Sequence, residues 1–244
     1  MAVLAGKVAV VTGGNSGIGR AIAQAYRVEG AQVVVTGRRQ EQLDEVEAEL
    51  GPEVTSVRCD VGRPADLDAL YATVAERFGR IDVLVANAGI AIAAPLGEIT
   101  EEQVDAMFTT NVKGTLFTVQ KALPLLADGA SIILTGSTAA HRPEPVLPVY
   151  GATKAAIRNL ARGFAHGAGK GRYRVNVLSP GATRTPGLLD LLPADALAAA
   201  GTSTPLGRLG APDEIAAAAV FLASDASSFV NGSELAADGG YAQV

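Results

Sequence analysis

The alternation of two hydrophobic periodicities along the chain constrains its fold more than any other feature. Short apolar runs of strand length, such as "KVAVVT" at 7–12, are each followed by a segment in which apolar residues recur at helical spacing. Strands that alternate with helices of about 10–15 residues indicate βαβ units and therefore a parallel sheet. The predicted strands are 7–12, 31–37, 53–61, 81–89, 130–136, 173–181 and 233–240.

The apolar composition agrees with a sheet that is covered on both faces. Hydrophobic residues make up 48% of the 244 residues and aromatic residues only 5%, so Val and Ala supply most of the apolar content. Parallel strands that are buried on both faces have this character. The sequence therefore predicts an α/β fold, a Rossmann-type doubly wound parallel sheet of about seven strands with helices on both faces.

The whole chain, 1–244, is predicted to form a single domain, because no linker, repeat or charge block divides it. The segment 184–212 is the exception to the regular alternation. It is rich in Pro, Gly and Ala and lies between the sixth strand and the last long helix. We interpret it either as a mobile flap or as a plain surface insertion.

The charge and the rare residue types exclude several kinds of protein. A net charge of −5 argues against nucleic acid or an anionic membrane as the main partner. The single cysteine, Cys59, excludes an intramolecular disulfide, and the two histidines, His141 and His166, do not cluster with other metal ligands. There is no secretory signal and no apolar stretch of membrane-spanning length. We expect a cytoplasmic protein without a metal site.

The segment "TGGNSGIG", Thr12–Gly19, connects the first predicted strand to the first helix. Glycines let the backbone turn tightly and approach a pyrophosphate, while the N-terminus of a helix offers free N–H groups and a partial positive charge. The pattern alone is a weak signal, since a glycine turn can also pack closely without a ligand. Its position at a strand–turn–helix junction favours dinucleotide binding.

The segment "PVYGATKAA" at 148–156 places Tyr150 and Lys154 four residues apart at the start of a helix. Residues at this spacing lie side by side on one helical face. Both side chains ordinarily keep their protons well above neutral pH, with pKa values of about 10 and 10.4. The pair is either a packed aromatic ring beside a solvated ammonium group or a site in which one group changes the acidity of the other.

Further motifs follow the later strands in a fixed order. "NAG" at 87–89 follows the fourth strand, Asn111 lies in a long helical segment, Ser137 precedes Tyr150 by 13 residues, and "PG" at 180–181 follows the sixth strand. With the glycine loop of the form T-G-x-x-x-G-x-G, this ordered set resembles the short-chain dehydrogenase/reductase family along nearly the whole chain. The closing segment, 205–240, is also similar to that of the family.

One position departs from the family pattern. The family often has Asn-Asn-Ala-Gly after the fourth strand, and here the first of these positions is Ala86. We interpret the exchange as a small change in packing on the cofactor side.

The resemblance implies hydride transfer between a nicotinamide cofactor and a carbonyl carbon, with proton delivery by side chains. Tyr150 would give the proton to the developing alkoxide, and its pKa would be lowered by Lys154, by the nicotinamide ring and by the helix N-terminus. Ser137 would donate a hydrogen bond to the substrate oxygen, although Thr135 and Thr138 are neighbouring competitors. Lys154 would also hold the nicotinamide ribose hydroxyls.

Asn111 resembles the helical Asn of the family that supports a water between the lysine and solvent. On its residue type alone, Asn111 is better explained as a helical Asn that bonds to the backbone.

The resemblance also implies which residues contact the cofactor. They are Gly13, Asn15, Ser16, Gly17, Ile18, Gly19, Arg38, Arg39, Asp60, Val61, Asn87, Ala88, Gly89, Tyr150, Lys154, Pro180, Gly181 and Thr183. Thr183 would lie at the nicotinamide carboxamide and Asp60 and Val61 at the adenine, although Asp60 could instead cap the following helix.

The end of the second strand bears on the choice between NAD and NADP. A carboxylate there binds the ribose 2′-hydroxyl of NAD, whereas an arginine accommodates the 2′-phosphate of NADP. Here Arg38 and Arg39 follow Gly37 directly, which favours NADP(H), with Arg38 as the first choice. NAD(H) stays possible, because the basic residue that often precedes the middle glycine in NADP enzymes of the family is replaced by Ser16. The alternative is a solvated arginine pair.

The preferred hypothesis is a carbonyl reductase, or a secondary alcohol dehydrogenase in the reverse direction. A dinucleotide-sensing regulator, an NAD-preferring dehydrogenase and a sugar-nucleotide epimerase of the related extended family are the alternatives. The mostly apolar segments 138–149 and 184–212 would line the substrate pocket and favour a neutral ketone or aldehyde. Within 138–149, His141, Arg142 and Glu144 could instead be exposed to solvent. The resemblance further implies a homo-oligomer, a tetramer.

Overall fold

Seven parallel strands form one sheet in the order β3-β2-β1-β4-β5-β6-β7. The computed structural model describes residues 2–169 and 171–244. The strands are β1 Val8–Val11, β2 Gln32–Gly37, β3 Val54–Arg58, β4 Ile81–Ala86, β5 Leu126–Thr135, β6 Tyr173–Pro180 and β7 Glu234–Ala237. The helices are α1 Gly17–Val28, α2 Gln40–Leu50, α3 Pro64–Phe78, α4 Glu101–Met107, α5 Thr115–Ala122, α6 Pro148–Gly167, α7 Pro186–Leu191, α8 Ala194–Thr202 and α9 Pro212–Ala223.

The predicted parallel α/β sheet is confirmed. Along each strand, successive side chains point alternately into two apolar layers. Ala9 and Val11 of β1 pack with α1, α2 and α9 on one face. Val10 of the same strand packs with α3, α5 and α6 on the other face. Each strand therefore needs apolar residues at successive positions, which is the continuous pattern seen in the sequence.

Three segments differ from the sequence-based prediction. β5 begins at Leu126 rather than at 130, because Leu126 pairs with Ile81 before a register shift leads to the pairing of Ser131 with Val83. The long helical segment predicted around Asn111 is interrupted by a π-helical segment, Phe108–Gly114, between α4 and α5. The segment 184–212, which has no regular pattern in the sequence, contains the short helices α7 and α8.

The strand order places the loops that carry the predicted site residues at one edge of the sheet. β1 is paired with β2 on one side and with β4 on the other, so the chain direction across the sheet reverses between β1 and β4. In a parallel sheet such a reversal opens a crevice at the carboxyl ends of the strands. The loops that follow β1 to β6 all lie at this edge.

No helix in residues 2–169 and 171–244 is long and apolar enough to cross a bilayer.

Two buried tyrosines connect the helices of each layer. The Tyr26 hydroxyl of α1 donates to the Ala219 carbonyl of α9 at 3.1 Å. On the other face the Tyr71 hydroxyl of α3 donates to the Thr118 carbonyl at 2.6 Å. Each hydroxyl is thus buried with one defined acceptor.

We expect Tyr26→Phe and Tyr71→Phe each to lower the free energy of unfolding by about 1 kcal/mol, because each removes one buried hydrogen bond without opening a cavity. Urea denaturation measures this change. The control is Tyr173→Phe at the start of β6, which is half-buried and should change the free energy by less than about 0.5 kcal/mol. Equal effects at all three positions would show that the buried hydrogen bonds of Tyr26 and Tyr71 do not stabilise the fold specifically.

Candidate active site

A cleft of about 930 Å³ lies along the carboxyl edge of the sheet. All of the residues predicted to bind a cofactor or to act in catalysis line it except Asn111. These are Gly13, Asn15, Ser16, Gly17, Ile18, Gly19, Arg38, Arg39, Asp60, Val61, Asn87, Ala88, Gly89, Ser137, Tyr150, Lys154, Pro180, Gly181 and Thr183. The structure therefore brings together residues that are spread over most of the sequence.

The glycine loop approaches the first turn of α1 too closely for any side chain. A Cβ atom at Gly19 would lie 2.2 Å from the Gly13 carbonyl oxygen, and Gly17 has a φ of +53°, which favours glycine. No side chain caps α1 at Ser16, and the first turn has no acidic residue. The N–H groups at the start of this helix thus have no side-chain acceptor, which fits an anionic group such as a pyrophosphate.

Thr12 and Asn87 join the glycine loop to the loop after β4. The Thr12 hydroxyl accepts hydrogen bonds from the backbone N–H groups of Asn87 at 3.0 Å and Ala88 at 3.1 Å. The Asn87 side-chain amide donates to the Thr12 carbonyl at 3.0 Å. Sequence reasoning did not single out Thr12, although it is the first residue of the glycine motif. Its buried hydroxyl fixes the distance between two walls of the cleft.

The end of the cleft next to β2 is positively charged. Arg38 and Arg39 are both exposed, and neither forms an ion pair with a carboxylate of the described chain. Asn15 lies over Gly37 and donates to the Gln42 side chain at 2.6 Å, and a Cβ atom at Gly37 would lie 2.5 Å from the Asn15 amide oxygen. The two guanidinium groups therefore have room for an anion beside them.

Asp60 does not cap the helix that follows β3. Its carboxylate accepts a hydrogen bond from the Gly62 N–H at 2.9 Å, within the turn, while α3 begins later, at Pro64. The capping alternative for Asp60 is therefore wrong. The turn holds Asp60 and Val61 at the wall of the cleft.

Tyr150, Lys154 and Ser137 meet in the middle of the cleft. α6 begins at Pro148, as predicted, which puts Tyr150 in its first turn and Lys154 one turn further on. The Lys154 Nζ atom lies 5.6 Å from the centroid of the Tyr150 ring and donates to the Thr135 carbonyl at 2.8 Å. Ser137 begins the turn after β5, where its hydroxyl accepts from the Ala139 N–H at 3.2 Å.

The two threonines that flank Ser137 are engaged elsewhere. The Thr135 hydroxyl donates to the Asn87 side chain at 3.3 Å, and the buried Thr138 hydroxyl donates to the Pro180 carbonyl at 3.4 Å. Both hydroxyls thus stabilise neighbouring loops. Ser137 is the hydroxyl of this group that faces Tyr150.

Burial dominates the acidity of both members of the Tyr–Lys pair. Burial raises the pKa of Tyr150 above its ordinary value, and a hydrogen bond with the Ser137 side chain lowers it by less. Burial lowers the pKa of Lys154 from 10.5 to about 8. The residues of the chain alone therefore do not produce the lowered tyrosine pKa expected from the sequence, since desolvation disfavours the phenolate more than its neighbours favour it.

Asn111 lies behind the cleft, in the π-helical segment, and both the oxygen and the nitrogen of its side-chain amide are hydrogen-bonded. Its side-chain oxygen accepts from the Ile90 N–H at 2.8 Å, and its amide group donates to the Ile90 carbonyl at 2.9 Å and to the Thr153 hydroxyl at 3.0 Å. The backbone-bonding alternative thus describes this side chain, with the backbone of a different loop. A Cβ atom at Gly89 would lie 3.3 Å from the Asn111 oxygen and 3.5 Å from the Lys154 Nζ atom. A Cβ atom here would thus be in tight contact with the Asn111 oxygen.

The other end of the cleft is mostly apolar. Leu188 and Leu191 of α7 and Ala196 of α8 line it, together with Val146 and Leu147 of the loop before α6. The expectation that 138–149 and 184–212 line one pocket is confirmed by this lining.

The polar residues of the loop before α6 are hydrogen-bonded to residues of the C-terminal part of the chain. The Arg142 guanidinium lies 4.3 Å from the centroid of the Tyr241 ring and donates to the Tyr241 carbonyl at 2.9 Å. The Tyr241 hydroxyl donates to the Glu144 carboxylate, and His141 is bonded to Glu234. The solvent-exposed alternative is correct for His141 and Arg142, which are exposed although they are hydrogen-bonded, whereas Glu144 is half-buried. Sequence reasoning missed Tyr241, since nothing near it in the sequence indicates that the C-terminal segment returns to the cleft.

The residues after β6 are held by the last loop of the chain. A Cβ atom at Gly181 would lie 2.7 Å from the Cα atom of Asp238, and the Thr183 hydroxyl donates to the Gly181 carbonyl at 2.9 Å. Pro180, Gly181 and Thr183 thus form a tight turn at the cleft wall.

The described residues contain no group of three or more His, Cys, Asp or Glu side chains placed to hold a metal ion.

Comparisons with known proteins give a consistent family assignment. A family model described as enoyl-(acyl carrier protein) reductase matches residues 13–242. Oxidoreductase asL5 of Sarocladium schorii is 49% identical over 99% of this chain and 98% of its own length. The NADP-dependent (R)-specific alcohol dehydrogenase of Lentilactobacillus kefiri is 36% identical over 98% of this chain and 97% of its own length.

Solved structures agree with the sequence relatives. A short-chain dehydrogenase/reductase, glucose/ribitol dehydrogenase, from Brucella melitensis superposes with a TM-score of 0.95 at 36% identity and covers 99% of both chains. A 3-ketoacyl-(acyl-carrier-protein) reductase from the same organism, in complex with NADH, superposes with a TM-score of 0.92 at 33% identity, over 98% of this chain and 99% of the other.

The buried ammonium group of Lys154 makes stability depend on pH. The unfolded chain keeps this proton up to the ordinary lysine pKa, whereas the folded chain releases it above about pH 8. Between these values the unfolded state binds more protons, so the free energy of unfolding rises with pH. Relative to Lys154→Met, the wild type should gain about 2 kcal/mol between pH 7 and pH 9.5.

Urea denaturation of both proteins at the two pH values measures this gain. Lys113→Met, which removes an exposed lysine, is the control and should keep a constant difference from the wild type. If the difference between the wild type and Lys154→Met is also constant, folding does not lower the pKa of Lys154 and the prediction is wrong.

Proposed function

The chain belongs to the short-chain dehydrogenase/reductase family, and from this premise we propose that it is an NADP(H)-dependent carbonyl reductase, or secondary alcohol dehydrogenase, with Tyr150 as general acid and base. Membership makes it an oxidoreductase that uses a nicotinamide dinucleotide on alcohols or ketones. The observation that carries the finer proposal is the meeting of Ser137, Tyr150 and Lys154 in the same cleft as the glycine loop.

The cleft has the features that a nicotinamide dinucleotide requires. Its glycine loop leaves no space for a Cβ atom at Gly19, the N–H groups of α1 have no side-chain cap, and Arg38 lies free at the far end. When bound, the cofactor supplies or accepts the hydride. The glycine loop and α1 would hold its pyrophosphate, Lys154 its nicotinamide ribose, and Thr183 its carboxamide.

The side chains of the site then have separate tasks in carbonyl reduction. Ser137 donates a hydrogen bond to the carbonyl oxygen and so stabilises the negative charge that develops there. Tyr150 gives its proton to the same oxygen as hydride reaches the carbon. In alcohol oxidation the same groups act in reverse, with Tyr150 as the base.

Lys154 would supply the positive charge that a phenolate at Tyr150 requires. Burial raises the pKa of Tyr150, so a phenolate forms only if positive charge is placed nearby. The Lys154 ammonium lies on the next turn of α6, 5.6 Å from the centroid of the Tyr150 ring, and would supply such a charge. Through its hydrogen bonds to Ile90 and Thr153, Asn111 holds the loop after β4 against α6. From the resemblance to the family, we propose that it also supports a water between Lys154 and solvent.

The preference for NADP(H) rests on Arg38 and Arg39. They have no carboxylate partner within the described chain, and no acidic residue ends β2. The Lentilactobacillus relative is named as NADP-dependent, which supports the proposal, whereas the Brucella 3-ketoacyl reductase holds NADH. Ser16, in place of a basic residue, also leaves an NAD-preferring enzyme as the second candidate.

The substrate proposal follows from the apolar end of the cleft. Leucine and alanine side chains of α7 and α8 line it, so we propose a neutral, largely apolar ketone or the corresponding alcohol. We also keep the proposals of a single domain over 1–244 and of a homotetramer, which size-exclusion chromatography with light scattering tests directly. A cofactor-sensing regulator would have no use for Ser137, Tyr150 and Lys154 together.

Tyr150→Phe should reduce kcat for ketone reduction to below about 1% of wild type, because it keeps the ring and removes the proton donor. The assay is NADPH oxidation followed at 340 nm with a panel of ketones. Tyr173→Phe, outside the cleft, is the matched control and should keep wild-type kcat. If Tyr150→Phe retains a tenth or more of the activity, the proposed role of Tyr150 is wrong.

Arg38→Asp should shift cofactor preference from NADPH toward NADH by about 100-fold or more in the ratio of kcat/KM values, because a carboxylate repels the 2′-phosphate and accepts from a free 2′-hydroxyl. Arg58→Asp makes the same charge change at the end of β3, outside the cleft lining, and should leave the ratio within about 3-fold of wild type. A wild type that already prefers NADH would overturn the NADP proposal.

A further inference from the structure

Glu234 is the first residue of the edge strand β7. Its carboxylate is hydrogen-bonded or ion-paired to side chains of a turn, a helix and a neighbouring strand. Its side chain is 17% exposed, and its carboxylate lies 2.8 Å from the His141 Nε2 atom and 2.8 Å from the Arg158 Nε atom. The Ser179 hydroxyl donates to it at 2.6 Å. A carboxylate can accept about four hydrogen bonds, so three of these sites are used by side chains that are distant in sequence.

Each of the three partners belongs to an element that carries a candidate active-site residue. His141 ends the turn that Ser137 begins, and its N–H donates to the Thr138 carbonyl at 2.9 Å. Arg158 is one helical turn beyond Lys154 on α6.

Ser179 completes the set from β6. A Cβ atom at Gly136 would lie 2.3 Å from its hydroxyl oxygen, so Ser179 packs directly against the residue that precedes Ser137. It also precedes Pro180, which begins the turn toward Thr183.

We propose that Glu234 is a positioning residue that holds the Ser137 turn against α6, so that Ser137 and Tyr150 act on the same substrate oxygen. The proposal rests on the proposed function. Bonds to an ionised carboxylate are about twice as strong as neutral ones, which makes Glu234 an effective anchor for both elements. A displacement of about 1 Å between catalytic groups is sufficient to reduce the rate by about 100-fold.

Glu234 lies beside an open space, so its role can be distinguished from packing in the apolar core. A second cleft, of about 500 Å³, lies next to it and is lined by His141, Arg158, Arg162 and Glu234. Substitution of Glu234 therefore removes bonds next to an open space and does not force the apolar core to repack.

Asp82 offers a closely matched control near the amino end of the central strand β4. Its side chain is 19% exposed, its carboxylate lies 3.0 Å from the Arg80 Nε atom, and it accepts from the Val8 N–H at 2.8 Å. It stands at the start of β4, away from the cleft. A loss of stability alone should therefore be reproduced by Asp82→Ala.

The experiment compares Glu234→Ala, Glu234→Gln and Asp82→Ala in ketone reduction with NADPH and with NADPH deuterated at the transferred position. Glu234→Ala should lower kcat by about 10- to 100-fold, leave KM for NADPH within about 2-fold, and increase the deuterium isotope effect on kcat, because misplaced groups slow the chemical step. Glu234→Gln keeps an oxygen acceptor for Ser179 and His141 and should recover part of the loss. Asp82→Ala should keep wild-type kcat and isotope effect.

Two results overturn the inference: a folded Glu234→Ala variant with wild-type kcat, or an Asp82→Ala variant with the same kinetic defect. If Glu234→Ala does not fold, Glu234→Gln and Arg158→Met are measured in the same way, and wild-type kinetics in both would equally overturn it.

A wild type that reduces no ketone would refute the proposed function instead. Hydrogen exchange then tests the positioning role alone. Glu234→Gln should speed exchange in 136–142 and 150–158, and Asp82→Asn should not. Unchanged exchange in both variants would overturn the inference.

Discussion

Burial of a parallel sheet on both faces is the constraint on which the rest of this structure depends. Because successive residues such as Val10 and Val11 face different apolar layers, no strand can place a polar side chain on either face without cost. Ser131 and Asn176, which are polar residues within the strands, are hydrogen-bonded, and the polar groups that are free to bind a ligand lie at the ends of the strands. Parallel strands place all their carboxyl ends at one edge, so groups that are far apart in the sequence converge there.

That convergence leaves a site held by very short distances. The glycine loop touches α1, Thr12 joins two loops through one hydroxyl, and Gly89 lies between Asn111 and Lys154. The burial that creates this geometry also works against the charged forms of Tyr150 and Lys154. The fold thus keeps a desolvated ammonium group at some cost in stability, and such costs are typical of sites organised for catalysis.

Most of the sheet and most of the residues that line the cleft are predictable from the sequence, because both depend on local patterns. Strand and helix periodicities give the order of elements, and motifs such as Gly13–Gly19 and Tyr150–Lys154 fall next to the ends of those elements. The early start of β5 at Leu126 and the π-helical segment around Asn111 were not predicted. Both depend on contacts with distant residues, namely Ile81 and Ile90, that leave no local pattern.

The same reason explains why Tyr241 and Glu234 went unnoticed. Tyr241 contacts Arg142 and Glu144, and Glu234 contacts His141 and Arg158, each across more than 70 positions of the sequence. The burial that raises the pKa of Tyr150 in the free protein is likewise not visible in a sequence.

The contact between Asn15 and Gly37 has an evolutionary consequence. A side chain at residue 37 would collide with the Asn15 amide oxygen, only 2.5 Å from the position of its Cβ atom. Asn15 in turn is held by Gln42 at 2.6 Å. Mutations at 15 and 37 are therefore epistatic, since a larger residue at 37 is tolerated only after a smaller one has arisen at 15. A lineage that remodels the ribose end of this cleft one substitution at a time must begin at residue 15 or at the exposed arginines.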